Sequence, residues 1–126
     1  MDPNVPAPDG RVDFDAVIDR ALEELPAMFA ERLGSVAIVV EDEPTQAQLA
    51  SVRAHGLFGL YEGVPRTRWG VDGAAVASKI TLFSGPLSRA NRDPERLAAA
   101  IRDTLHHEIA HHFGIDDARL QELRRG

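Results

Sequence analysis

The sequence predicts an α+β domain, and three observations carry that expectation. Two apolar runs, SVAIVVED at 35–42 and KITLF at 79–83, have the β-branched character of strands. The stretch DPERLAAAIRDTLHHEIAHHF at 93–113 has the start signals and apolar stripe of a long helix. The chain of 126 residues, 44% hydrophobic and 27% charged, suffices for one core and little more.

The elements follow in chain order. Residues 1–10, MDPNVPAPDG, hold three prolines and almost no core material, and are expected to form a flexible tail before a single domain at 11–126. They contain neither the basic nor the apolar region of a secretory signal. From Asp13 to Leu33, apolar side chains from Phe14 through Val17, Ile18, Ala21, Leu22 and Leu25 to Phe29 recur at helical spacing. Pro26 is expected to kink or split that helix, and Gly34 to end it.

Residues 35–42 then read as a buried strand. TQAQLASVRAHG at 45–56 reads as a short helix or a loop. LFGLYEG at 57–63 is a second strand, irregular because of its glycines. VPRTRWGVDGAAVAS at 64–78 is rich in turn residues, and KITLF is a third strand with Ile80 and Leu82 on one face. SGPLSRANR reads as a lead into the long helix, where Asp93 suits the N-cap, Pro94 the first helical position and Glu95 the acid-favouring first turn. Gly114 is the expected stop, followed by a short last helix with Leu120 and Leu123 inward.

Charge and composition narrow the chemistry. The absence of cysteine removes disulfides, thiolate metal sites and cysteine nucleophiles, so any metal must sit on nitrogen and oxygen. A net charge of −6 and a pI near 5.3 argue against a general nucleic-acid binder. The arginine pair of RTRWG is too short a patch to reverse that. No apolar run nears the ~20 residues needed to cross a bilayer. A cytoplasmic protein with neither nucleic-acid nor membrane partners is expected, and thirteen arginines against one lysine suggest a GC-rich, bacterial genome.

Four of five histidines fall in HHEIAHHFGIDD, residues 106–117. At roughly 100° per residue, and with His107 set at zero, His111 lies near 40°, Thr104 near 60° and Glu108 near 100°. Leu97, Ala98, Ile101, Leu105 and Ile109 fan from roughly 80° to 200°. The two histidines thus stack one turn apart at the margin of the apolar stripe, where a two-histidine metal site belongs. His107-Glu108-Ile109-Ala110-His111 is the spacing H-E-x-x-H, in which two imidazoles converge on zinc and the glutamate faces the attacking water. Gly114 lets the chain turn, and Asp117 can swing back as a third, carboxylate ligand, with Asp116 as its competitor. By composition, H-E-x-x-H alone arises by chance in roughly one such chain in a hundred, and the full motif in roughly one in ten thousand. The bland alternative is the solvated side of a terminal helix.

At H-E-x-x-H-x-x-G-x-x-D the chain resembles the zincin metallopeptidases, with aspartate in place of the third histidine of the metzincin signature. LFGLYEGVP, KITLFSGPL and HHEIAHHFGIDD, in this order, resemble the bacterial minimal zincin-like family, over about residues 12–125. The resemblance implies a small twisted sheet packed on an N-terminal helix and an active-site helix, with an edge strand above a metal cleft. It implies Zn2+ held by His107, His111 and Asp117, with Glu108 as general base. Only nine residues follow Asp117 in this sequence and none is methionine, so a fold without the methionine-turn subdomain of metzincins is expected.

The remaining candidates read more plainly. His106, near 260°, points away from the metal face, to solvent or a contact behind the ligands. His112, near 140°, is a core or boundary histidine rather than a ligand. His55 is a loop residue. Tyr61 is a strand aromatic, with an oxyanion donor as the less favoured reading. Trp69 is a core cap or a cleft wall. The expected activity is zinc-dependent hydrolysis of peptide bonds in a peptide or protein substrate, docked as an extra strand at LFGLYEG or KITLF. The rival is a non-catalytic zinc-binding module in which the metal fastens the helix to the following loop.

Overall fold

A computed structural model of the chain describes residues 12–33, 36–52, 57–63, 78–115, 118, 119 and 122. The expected tail, His55, Trp69, Asp116, Asp117, Leu120 and Leu123 lie outside them. The order of elements is α1 (Phe14–Glu23), α2 (Ala27–Arg32), β1 (Val36–Glu41), α3 (Gln46–Ser51), β2 (Gly59–Glu62), β3 (Ser78–Phe83), α4 (Ser84–Ala90) and α5 (Pro94–Phe113). This is the α+β arrangement the sequence implies.

Pro26 splits the first helix. It caps α2 in an extended conformation, and α1 ends at a turn in which Leu25 N–H donates to Leu22 O. Thr45 and Gln48 form a reciprocal capping box at α3, which resolves the helix-or-loop ambiguity of that stretch. The lead into α5 contains a helix the sequence reading passed over. Gly85 and Pro86 sit in the first turn of α4, where a missing donor has no cost. Gly85 packs against the Asp42 carbonyl, to which its N–H donates, and a side chain there would run into Glu43. Arg89 forks onto Glu43 at 2.6 and 3.0 Å, tying α4 to the turn after β1. Those hydrogen bonds hold the Glu43 carboxyl below its ordinary value, so the tether is complete above the usual glutamate pKa and is lost as pH falls through the lowered one.

The sheet has the order β1-β3-β2, with β1 parallel and β2 antiparallel to β3. KITLF is therefore the central strand, with both edges already paired, and cannot accept an added strand. Among the described residues, only β2 of the two proposed docking strands lies at an edge. β1, the described part of the strand expected at 35–42, is likewise half-buried rather than buried, because it forms the opposite edge among the described residues.

One face of the sheet, carrying Ile80, Leu82 and Tyr61, meets α5. The far side of α5 meets α1 and α2, so the helix is covered on two sides. Phe113 packs on Phe29 with ring centroids 4.7 Å apart, and His106 Nε2 lies 3.0 Å from the Ala21 carbonyl. His106 is 2% exposed, which corrects the expectation of a solvated side chain. Its direction was right, but α1 occupies the space that the reading gave to water. Among the described residues no helix is long and apolar enough to cross a membrane.

Candidate metal centre

The helix that carries the motif is fixed at both ends by local sequence. The Asp93 side chain accepts from Arg96 N–H with Pro94 inside the first turn, as the start signals require. At the other end Gly114 is left-handed, with φ 69°. Gly114 N–H donates to His111 O, and Ile115 N–H to Ala110 O, which closes a Schellman turn directly after the second motif histidine.

Between these ends α5 sorts its polar residues by face. His107 and His111 are solvent-exposed, one turn apart, with ring centroids separated by 5.1 Å. Glu108 is 6% exposed, yet its carboxylate stays beside both rings. Oε1 lies 3.5 Å from His111 Nδ1 and Oε2 lies 4.0 Å from His107 Nε2. One donor atom from each of the three lies within 4.8 Å of the others. The two imidazole nitrogens suit a zinc ion, which takes such ligands at roughly 2.0–2.1 Å and leaves an open position when it is catalytic, with the Glu108 carboxylate beside them. His107, Glu108 and His111 are thus brought together as their spacing predicts. Asp117, the expected third ligand, is among the residues not described.

His112, the neighbour of a motif histidine, faces the other way. It is fully buried, Nδ1 lies 3.1 Å from Tyr61 Oη, and its ring packs edge-on against Tyr61 and Phe113. Tyr61 Oη also lies 3.3 Å from Ser78 Oγ. The tyrosine hydroxyl is thereby engaged between helix and sheet, in line with the strand-aromatic reading rather than the oxyanion donor.

Sequence reasoning assigned no role to Gly59, yet it sets the distance between β2 and α5. A Cβ at this position would stand 2.7 Å from Thr104 Cγ2, 3.3 Å from the Thr81 carbonyl and 3.4 Å from Glu108 Cγ. The irregularity expected from the glycines of LFGLYEG is therefore a close approach of backbone to helix. Beside it an open groove of about 370 Å³ runs from Leu57 and Phe58 across Thr104 and Asp103 to His107 and Glu108. Gly59→Ala is expected to push β2 away from Glu108, costing about 1–3 kcal/mol in urea unfolding. Full stability in that variant would show that the strand does not rest on the helix at this point.

Comparison with known proteins agrees with the geometry. None of the curated proteins matches the chain. A family model described as zincin-like metallopeptidase matches residues 33–126, about three quarters of the chain, from the end of α2 through β1, β2, β3 and α5. That match takes in the strands, the motif helix and its buried glutamate, and the chain belongs to the zincin-like metallopeptidase family.

Proposed function

We propose that the protein is a zinc-dependent peptidase in which His107, His111 and Asp117 hold the metal and Glu108 is the general base. The observation that carries this reading is the contrast along α5: two exposed imidazoles beside a buried carboxylate that still opens onto a groove. Zinc held there would supply Lewis acidity, the chemistry that lowers the pKa of water toward ~7 and polarises a carbonyl. The Glu108 carboxylate takes a proton from the attacking water and returns it to the leaving amine. Burial among Thr104, Gly59 and the sheet keeps that carboxylate aimed between the histidines. Among the described residues β2 is paired on one side only, and its other edge would offer backbone groups to an extended peptide.

The core argues for a catalytic over a structural metal. The His107 and His111 side chains are both exposed, outside that packed core, so the metal would not be part of it. A chelator is therefore expected to abolish cleavage of a fluorogenic peptide pool, with activity restored by one equivalent of zinc. The thermal unfolding of the metal-free protein should remain a single cooperative transition. Cleavage that survives chelation would overturn the peptidase reading, and loss of the fold would favour the structural zinc module.

A further inference from the structure

We propose that the groove beside the metal centre is a subsite for a basic side chain, lysine or arginine, of a peptide substrate, selected by Asp103. The inference rests on the peptidase reading and gives its substrate a chemistry. Residues of two characters line the groove. Leu57 and Phe58 are apolar, and Phe58 is 46% exposed, a large aromatic surface left in water at the mouth of the site. Asp103 and Thr104 on α5 are polar. Asp103 is exposed, and its carboxylate takes part in no hydrogen bond or ion pair with another described residue. An aromatic side chain and an unengaged carboxylate lining one groove match a side chain with an aliphatic stem and a cationic head, which gains both apolar cover and charge pairing.

Position fixes where in the substrate such a residue belongs. Asp103 stands one helical turn before His107, about 6 Å along the axis. An extended peptide advances about 3.3 Å per residue, so the basic side chain falls within about two residues of the bond cleaved. The net charge of −6 adds long-range attraction for cationic peptides.

The test uses the full chain, zinc-loaded and carrying Glu108→Gln so that peptides bind without being cut. Two fluorescent decapeptide pools, randomised except for a central lysine in one and norleucine in the other and otherwise free of basic residues, are titrated by anisotropy. The lysine pool should bind about tenfold more tightly, with the difference shrinking as salt rises. Adding Asp103→Asn should erase that difference, and Asp103→Lys should shift the preference to a pool centred on glutamate. Equal affinity for the first two pools, or a lysine preference that survives Asp103→Asn, overturns the subsite. The wild-type zinc protein, given the same pools, separates the two claims. Cleavage without basic preference removes the subsite and leaves the peptidase. Lysine-selective binding without cleavage of either pool supports the subsite and removes the peptidase.

Discussion

Glu108→Gln is expected to lower peptide turnover by about 10²–10⁴-fold while the protein still takes up one equivalent of zinc. The amide keeps the shape of the side chain in its pocket beside Thr104 and Gly59 but cannot accept the proton of the attacking water. Glu108 is not assigned as a ligand, so metal content measured by atomic absorption should be unchanged. Because the amide has nearly the same shape and volume as the carboxylate, stability should stay within about 1.5 kcal/mol of wild type. Turnover within threefold of wild type would eliminate Glu108 as the base. Loss of zinc together with activity would make it a ligand instead.

The largest expected effect on folding lies one residue beyond the motif. His112→Ala should destabilise the protein by about 3 kcal/mol, because it opens a cavity between α5 and β2 and strips the Tyr61 hydroxyl of a buried partner. Tyr61→Phe should cost less, about 1–2 kcal/mol, since the ring and its packing remain. If the two groups act as a pair, the double variant will fall short of the sum of the singles. Urea unfolding of the four proteins measures this directly. Zinc uptake by the folded His112→Ala protein should be intact, which distinguishes a packing histidine from its ligand neighbour. A small stability loss coupled to a large loss of zinc would reverse those roles.

Much of the candidate site was legible because it is local. A cap, an apolar stripe, a two-histidine spacing and a terminal glycine all lie within one helix, and 100° per residue suffices to separate His107 and His111 from His112. What escaped the reading depends on tertiary contact. His106 was placed in the right direction, yet only the packing of α1 and α2 turns that direction from surface into interior. β3 has the composition of any half-buried strand, and its central position follows from pairing with two partners on opposite sides. Helix α4 was hidden by Gly85 and Pro86, residues that usually mark loops but are compatible with a first helical turn. Gly59 carries no side chain to attract notice, and its role appears only when the distance to Thr104 and Glu108 is measured. The assignment of Asp117 as third ligand is a proposal that rests on the register of the motif and the family resemblance.

The central claim is that His107, His111 and Asp117 together hold one zinc ion at an otherwise complete fold. Calorimetric titration of zinc into chelator-stripped protein, repeated with His111→Ala and with Asp117→Ala, tests it most directly. The account predicts a single stoichiometric site in the wild type. Each substitution should weaken it by more than about 100-fold, since even outer-shell partners of a metal are worth 10–100-fold. An unchanged isotherm in Asp117→Ala would contradict the three-ligand centre, and no binding by the folded wild type would contradict the metal centre itself.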